Sequence, residues 1–329
     1  MAESFSHHMP TRLVVGPGSL DRLAEEVSSI RRRCMLVTGL RSARLSGLLE
    51  RVQDALLAAH VESVLFDQVE PNPTLATVDD GARLAQEKEV KWVLAVGGGS
   101  AIDAAKAIAL TAVNDPDIKD FVCGARPTRP PLPVVAVPTT SGTGSEVTPF
   151  SVVTDPAECD KFGIHNPHLF PRLAILDPEL TVSMPEKVTV DTGLDALSHA
   201  MEALLSNRRS LVSDMYAAEA IAQIAKALPI SRQEPENVDA RGSMQVAACM
   251  AGVAIADTRT LVPHALGYPI TVFYDIPHGR ATTLLLPAFL ERMLDLDDDE
   301  VRERVKRIGR LLGREDDAPS ALRDFMESL

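Results

Sequence analysis

The sequence predicts an α/β N-terminal domain with a parallel sheet, followed by an all-α C-terminal domain. From Arg12 to about Leu180, short β-branched runs alternate with helical patterns, which is typical of parallel strands joined by helices. After Pro185, nearly all of the chain is rich in alanine and leucine at helical spacing. The predicted domains are therefore residues 1–185 and residues 186–329.

Strands are predicted from short β-branched runs, and helices from apolar residues at helical spacing. The predicted strands are Leu13–Val15, Cys34–Thr38, Val61–Phe66, Trp92–Val96, Val134–Val137 and Ala174–Leu176. The predicted helices of the first domain are Ser19–Ser29, Leu45–His60, Leu75–Lys88 and Ala101–Ala112. Those of the second domain are Thr189–Leu205, Ser210–Leu228, Ala240–Ile255 and Glu300–Leu312.

Composition narrows the class of protein. The chain has 329 residues and 45% hydrophobic content, enough for two domains and a large core. Its 46 acidic and 33 basic residues give a net charge of −13, which argues against a nucleic-acid or anionic-membrane partner. Aromatic residues are only 4%, too few for stacking single-stranded nucleic acid. We expect a small-molecule partner.

Cysteine usage and the start of the chain indicate the compartment. The four cysteines are scattered with no Cys-x-x-Cys, and no charged-then-apolar leader or long apolar span is visible. We therefore expect a reduced, cytoplasmic protein. Edge strands in the first domain also predict a homodimer.

Two polar loops follow predicted strands of the first domain. Trp92–Val96 leads into Gly97, Gly98, Gly99 and Ser100 and then a helix, so that free backbone N–H groups at the helix start face an anion. Val134–Val137 leads into Thr139, Thr140, Ser141, Gly142, Thr143, Gly144, Ser145 and Glu146. Either loop alone is also compatible with an ordinary tight turn. Two such loops together predict a dinucleotide.

The end of the strand Cys34–Thr38 indicates which dinucleotide. A carboxylate there would bind the 2′-hydroxyl of the adenosine ribose and repel a 2′-phosphate. This chain has Gly39 instead, followed by Arg41, Ser42 and Arg44. We therefore predict NADPH or NADH, with NADPH favoured.

Four residues of the second domain have the side-chain types of one divalent metal site. Asp195 and His199 are i and i+4 neighbours on one predicted helix, and both can reach one ion. His264 and His278 lie in an apolar stretch, where each imidazole needs a partner. A surface ion pair and two satisfied core histidines are the alternatives. Carboxylate with imidazole suits Fe²⁺, our first choice, or Zn²⁺. A nucleotide site followed by a metal site predicts hydride transfer.

The motifs as a set resemble the iron-containing (group III) alcohol dehydrogenase family over essentially the whole chain. The matching segments are Gly97-Gly-Gly-Ser-x-x-Asp103-x-x-Lys106, Pro138-Thr-Thr-x-x-Thr-Gly-Ser-Glu146, Asp195-Ala-Leu-x-His199-Ala-x-Glu202 and Pro277-His-Gly279. The resemblance implies a Rossmann-like first domain within a dehydroquinate synthase-like architecture. It also implies one metal ion held by Asp195, His199, His264 and His278.

The resemblance also implies further cofactor residues and an expectation about the length of the helical domain. Lys161 is implied to lie near the cofactor, and Asp103, Ser145 and Leu180 are counted with the cofactor-binding candidates. Relatives usually continue with more helices, so the helical domain, which stops at Leu329, is expected to be shortened.

Two residues near the third ligand are the catalytic candidates. Many family members have a histidine where this chain has Tyr268, and the variant His264-Ala-Leu-Gly-Tyr268-Pro-Ile looks like the hydroxyethylphosphonate dehydrogenase (phosphonoacetaldehyde reductase) branch. The hydroxyacid–oxoacid transhydrogenase branch has a similar arrangement. Arg259 suits a phosphonate or carboxylate, although an ion pair with Asp257 or a helix cap is an alternative.

The predicted function is interconversion of a small anionic aldehyde and its primary alcohol. Phosphonoacetaldehyde and 2-hydroxyethylphosphonate are the first choice. The alternatives are 4-hydroxybutyrate with succinic semialdehyde, or a general short-chain alcohol. A lyase of the dehydroquinate synthase type and a catalytically silent nucleotide-binding protein are the readings from other classes.

Overall fold

The computed structural model describes residues 4–30, 33–114 and 117–329, which divide into two compact units. The α/β unit comprises residues 10–140 and 145–181. The helical unit comprises residues 182–329 together with the short segments 4–9 and 141–144. The middle of the second polar loop thus belongs to the helical unit.

The α/β unit is built on six parallel strands in the order β1-β8-β5-β4-β2-β3. The four inner strands have near-continuous apolar sequences because both of their faces are buried, whereas the two edge strands are partly exposed. They are β1 (Arg12–Val15), β2 (Arg33–Gly39), β3 (Glu62–Val69), β4 (Trp92–Gly97), β5 (Val134–Pro138) and β8 (Leu173–Leu176). All six predicted strands are confirmed, with ends that differ by at most three residues.

Six helices accompany this sheet. They are α1 (Leu23–Val27), α2 (Ser42–Leu45), α3 (Leu48–Ala58), α4 (Leu75–Glu87), α5 (Gly99–Thr111) and α6 (Ile118–Val122). The single helix predicted at Leu45–His60 is wrong in its first turn, because Gly47 at φ 72° separates α2 from α3. The segment predicted as Ser19–Ser29 begins with a 3₁₀ turn before α1.

A two-stranded antiparallel hairpin, which the sequence did not predict, also belongs to the α/β unit. Its strands are β6 (Phe150–Asp155) and β7 (Asp160–His165). Phe150 pairs with His165 at one end of the hairpin, and Asp155 pairs with Asp160 at the other. Buried positions alternate along β6, which is the pattern of a strand with one covered face. The hairpin brings Lys161, a cofactor candidate, into the same unit as the glycine-rich loop.

The helical unit contains seven described helices around one apolar core. They are α7 (Glu186–Leu205), α8 (Leu211–Gln233), α9 (Val238–Thr258), α10 (Val262–Tyr274), α11 (His278–Leu294), α12 (Asp299–Leu311) and α13 (Ala318–Glu327). Helices α7, α8 and α9 supply most of the buried alanine, leucine and isoleucine side chains. The parallel α/β domain followed by a helical domain confirms the predicted fold class.

No single helix in the described ranges is long and apolar enough to cross a membrane. Taken together, α9 and α10 have the length and apolar composition of a membrane span, but the pair is bent by 111° at the break between the two helices.

Candidate metal centre and nucleotide loops

Helix α7 carries the first two metal-type residues on one buried face. Asp195 and His199 are 5% and 6% exposed, although neither residue type is common in a core. Their neighbours Ala196, Leu197 and Ala200 are fully buried in the apolar core of the helical unit. Because i and i+4 side chains lie one above the other on a helix, the two polar groups point the same way.

The start of α11 lies directly against α7. A Cβ atom added to Gly279 would lie 2.8 Å from the Cβ of Asp195, so only glycine permits this approach. Arg280 donates to Asp191 with its Nε at 2.9 Å, and Thr283 donates to the backbone oxygen of Leu194 at 3.1 Å. These contacts place His278, the first residue of α11, beside the acidic face of α7.

The four candidate ligands meet in the helical unit. Ligand atoms of Asp195, His199 and His264 all lie within 4.8 Å of one another, and His264 Nε2 is 3.7 Å from Asp195 Oδ1. The His199 and His264 rings stack at a centroid distance of 4.5 Å. His278 lies alongside, with its ring 5.3 Å from that of His264 in an edge-on arrangement. Three donors thus converge closely, and the fourth borders them.

The chemistry of this cluster fits a divalent cation. Asp195 Oδ1, His199 Nδ1 and His264 Nε2 are buried and accept or donate no hydrogen bond within the described part of the chain. Leaving three polar atoms buried and unsatisfied is costly unless a further group binds them. A carboxylate with imidazole nitrogens is a donor set for Fe²⁺ or Zn²⁺. The residues present therefore fit the metal that the sequence predicts.

Electrostatics in the cluster favour the ionised forms of Asp195 and His264 and the neutral form of His199. Burial opposes ionisation of Asp195, but the neighbouring His199, His264 and His278 outweigh it and hold the pKa of that carboxyl well below its usual range. Burial lowers the pKa of His199. Burial also acts to lower the pKa of His264, yet Glu202 and Asp195 raise it to about 9. A cation is thus favoured at this point, whether it is a proton or a metal ion.

Glu202 is a site residue whose role the sequence did not reveal. It is 0% exposed on α7 and accepts hydrogen bonds from His264 Nδ1, from Ser198 and from the backbone of Leu261. An acid in an otherwise apolar helical stretch was the available signal, since a buried carboxylate requires partners.

Tyr268 stacks on a candidate ligand. Its ring lies 5.1 Å from that of His278 with an interplanar angle of 19°, and the residue is half-buried. Tyr268 thus borders the cluster from α10.

Arg259 is an exposed residue at the C-terminal end of α9, with φ 60° and ψ 175°. The alternative in which it pairs with Asp257 is not what the structure shows. Asp257 instead makes a 2.7 Å hydrogen bond with Nδ1 of His7. Within the described ranges, Arg259 has no salt-bridge partner, although it lies on the short connection that leads to His264.

The two polar loops lie side by side where they leave the sheet of the α/β unit. Strands β4 and β5 are parallel neighbours, with Gly97 paired to Pro138. Thr139 donates its N–H to the oxygen of Gly97 at 3.0 Å, and a Cβ atom at Gly98 would lie 3.1 Å from the side chain of Thr140. Helix α5 begins at Gly99, two residues earlier than predicted. Free N–H groups at its start therefore adjoin the threonine loop, an arrangement suited to a pyrophosphate.

Residue Asn72 connects two of the predicted cofactor residues and was missed. It follows β3 and adopts a left-handed conformation, with φ 59°. Its Oδ1 accepts from Lys161 Nζ at 2.7 Å, and its N–H donates to the Ser100 hydroxyl at 3.2 Å. Its position between two prolines was the available signal. Leu180, another cofactor candidate, is buried in a 3₁₀ turn after β8.

Asp103 and Ser145 face each other rather than open solvent. Ser145 donates its hydroxyl to Asp103 Oδ1 at 2.5 Å, and Lys106 Nζ donates to the Ser145 hydroxyl at 2.9 Å. The Asp103 Oδ2 accepts from the backbone of Val152 at 3.1 Å. This network ties α5 to the exit of the threonine loop and to β6.

The middle of the threonine loop, Ser141–Gly144, is fixed against α9. Gly144 has φ 60°, and a Cβ atom there would lie 2.5 Å from the Cα of Gly252 and 2.8 Å from the oxygen of Ala248. Only glycine satisfies both the backbone conformation and the close approach. Thr143, a cofactor candidate, therefore lies on a tightly held segment.

The end of β2 has the residues on which the cofactor prediction rests. Gly39 is its last residue, and Ser42 begins α2. Arg44 forms a 2.7 Å ion pair with Asp67, so its charge is partly engaged. Arg41 is exposed at the same corner.

Comparison with known proteins gives the class and then the family. Residues 10–178 match the profile described as "Iron-containing alcohol dehydrogenase", and residues 189–329 match "Fe-containing alcohol dehydrogenase family, C-terminal". These descriptions define an oxidoreductase. The chain belongs to the iron-containing alcohol dehydrogenase family, which confirms the resemblance seen in the motifs.

Relatives and solved structures agree with this assignment. A choline dehydrogenase of Bacillus subtilis is 33% identical over 297 residues, covering 88% of this chain and 73% of that protein. An iron-containing alcohol dehydrogenase structure from Thermotoga maritima has a TM-score of 0.89 and 36% identity, covering 98% of this chain and 87% of that one. A sulfoacetaldehyde reductase of Bifidobacterium kashiwanohense in complex with NAD⁺ has a TM-score of 0.91 and 34% identity, covering 99% and 86%.

Proposed function

We propose that this alcohol dehydrogenase is a nicotinamide- and metal-dependent reductase of a short aldehyde that carries an anionic group. The first-choice pair is phosphonoacetaldehyde and 2-hydroxyethylphosphonate. The main observation in favour of an anionic substrate is that Arg259, on the connection between α9 and α10, is exposed. Its guanidinium suits a phosphonate, sulfonate or carboxylate because its planar fork donates two parallel hydrogen bonds.

Two further observations support an anionic substrate. The carboxylate nearest in sequence, Asp257, is engaged by His7, so Arg259 keeps its charge available. A structural relative is named a sulfoacetaldehyde reductase, and its substrate is a short aldehyde that bears a sulfonate. The formal net charge of −13 makes a local cation necessary for such a ligand.

The residues of the helical unit would then have separate roles. A divalent ion at Asp195, His199, His264 and His278 would supply Lewis acidity toward the aldehyde oxygen. Arg259 would bind and orient the anionic end of the substrate. Tyr268 would form an aromatic wall beside His278, since its ring stacks on that imidazole.

The loops of the α/β unit would bind the coenzyme. Backbone N–H groups at the start of α5 would receive the pyrophosphate, with Thr139 and Thr140 beside it. We propose NADPH over NADH because Gly39 leaves no carboxylate at the end of β2 and Arg41 is exposed there. Comparing kcat/KM for the two coenzymes tests this choice, and a clear preference for NADH would contradict it.

The substrate class is tested with phosphonoacetaldehyde, succinic semialdehyde, lactaldehyde and propanal. For Arg259→Met we expect kcat/KM to fall about 10-fold to 100-fold with the anionic aldehydes, the value of a charge-assisted hydrogen bond, and little with propanal. Arg292→Met, which replaces an exposed arginine on α11, is the matched control, and we expect kcat/KM to be unchanged for both substrate types. Equal losses for propanal and the anionic aldehydes would remove the anion-binding role. A wild-type preference for propanal would favour the general short-chain alternative.

A further inference from the structure

Glu202 is a buried carboxylate that the proposed reaction does not use. It is 0% exposed on α7, and its three hydrogen-bond donors come from two parts of the helical unit. Ser198, one turn earlier on α7, donates its hydroxyl at 2.9 Å. The backbone N–H of Leu261 donates at 2.5 Å, and the third donor is Nδ1 of His264.

The bond to His264 decides which ring nitrogen carries the hydrogen. An ionised carboxylate only accepts, so the hydrogen between the two groups belongs to Nδ1. The lone pair available for a metal is then on Nε2, which lies 3.7 Å from Asp195 Oδ1 on the ligand side of the ring. A carboxylate behind a metal-binding imidazole fixes both its tautomer and its orientation.

The same carboxylate also fixes the backbone that carries this ring. Leu261 is the residue immediately before α10, and its N–H is one of the donors that a helix start leaves without an intrahelical partner. One Glu202 oxygen binds that N–H and the other binds the His264 ring. The Glu202 side chain therefore orients both the start of α10 and the His264 ring. Because Glu202 lies on α7 with Asp195 and His199, it holds that ring in place relative to these two residues.

We propose that Glu202 is a positioning residue that sets the His264 tautomer and aims its Nε2 at the metal site. This inference rests on the proposed metal-dependent function. The competing explanation is that Glu202 merely satisfies buried donors, in which case its loss would change stability and leave metal affinity alone.

Glu202→Gln separates these explanations. Leu261 and His264 bond to different oxygens of Glu202, and an amide has only one oxygen, so in this geometry it can accept from only one of the two. When its NH₂ faces the ring, Nδ1 must accept and the hydrogen moves to Nε2, the ligand atom. We therefore expect the variant to bind Zn²⁺ about 10-fold to 100-fold more weakly than the wild type.

The measurement is titration of the metal-free full chain with Zn²⁺ in competition with a chromophoric chelator, well below the unfolding temperature of each variant. Glu26→Gln is the matched control. Its side chain is only 4% exposed, and it lies in the α/β unit with salt bridges to Arg12 and Arg22 at 3.0 and 2.8 Å. We expect this control to bind Zn²⁺ like the wild type.

The outcomes are distinguishable. If the wild type binds no Zn²⁺, the proposed metal site fails. If the wild type binds and Glu202→Gln binds equally well, with or without a lower Tm, the positioning role is overturned. Should that variant not fold, Ser198→Ala removes one donor to the same carboxylate. We then expect affinity to fall about fivefold, the worth of one hydrogen bond, and an unchanged affinity overturns the role.

Discussion

Replacing Lys106 tests how the α/β unit fixes its threonine loop. This side chain is 0% exposed, and its ammonium donates to the backbone oxygens of Ser145, Thr148 and Phe150 at 2.5, 2.9 and 2.8 Å. Burial lowers the pKa of Lys106 to about 8, against the opposing attraction of nearby carboxylates. The ammonium therefore connects α5 to the loop exit and to β6.

Lys106→Met keeps most of the volume and removes every donor. Three backbone oxygens then lose a buried partner, each at a cost of about 1–3 kcal/mol. The variant no longer has to bury an ammonium group, which offsets part of this cost. We therefore expect the free energy of unfolding to fall by about 3–5 kcal/mol, as it does when one partner of a buried ion pair is removed. At about 2 kcal/mol per molar urea, the unfolding midpoint would fall by about 2 M.

The protein contains its own probe for this experiment. Trp92 is the single tryptophan and is fully buried in β4, so its fluorescence during urea unfolding reports on the α/β unit. Lys91→Met is the control, because Lys91 is exposed in the same unit and forms no salt bridge within the described part of the chain. We expect its midpoint to match the wild type. A Lys106→Met midpoint within about 0.5 M of both would refute the reasoning.

Three further predictions follow from the sites. Asp195→Asn should lower the Fe or Zn content of the purified protein, measured by mass spectrometry, and an unchanged content would exclude Asp195 as a ligand. Burial raises the pKa of Glu146 to about 7 from 4.5, so the folded state retains a proton that the unfolded state releases. The free energy of unfolding should therefore fall as pH rises from about 4.5 to 7. Urea titrations at several pH values should show a weaker fall for Glu146→Gln than for the wild type. The same pH dependence in both proteins would contradict the prediction. Burial raises the pKa of the Cys34 thiol to about 12, whereas Cys123 and Cys159 are exposed. A thiol reagent should label the two exposed cysteines in the native protein and Cys34 only after unfolding, and rapid native labelling of Cys34 would contradict its burial.

The parallel sheet was predictable because its strands are short and β-branched, and its four inner strands, β2, β4, β5 and β8, are almost fully buried. The hairpin β6–β7 was not, since its strands contain polar residues without a regular alternation and meet at the acids Asp155 and Asp160. Its pairing depends on contacts with α5 that no local pattern records. One of these contacts is the Ser151 hydroxyl, which donates to the backbone of Asp103.

Helix α10 was missed because its sequence contains two prolines and a glycine. Pro263 lies in the first turn, where the missing N–H costs nothing, and Pro269 lies inside the helix. Gly267 is required by packing, since a Cβ atom there would lie 2.7 Å from the side chain of Thr282 on α11. Tertiary contacts therefore override a local preference against helix.

The candidate site was predictable in its residue types and only partly in its geometry. The i, i+4 spacing of Asp195 and His199 places them together on any helix. That His264 joins them depends on how α10 packs on α7, which the sequence does not state. The role of Glu202 also depends on that packing, because its partners include Leu261 and His264 on the other side of the contact.

The donor cluster has a consequence for how the enzyme acquires its ion. Asp195 and His278 begin far apart along the chain and meet only where Gly279 allows α11 to touch α7. During synthesis the binding pocket is therefore incomplete until α11 has emerged and docked. Metal uptake would be a late event in maturation. The free energy of metal binding would stabilise only those chains whose helices have already assembled correctly.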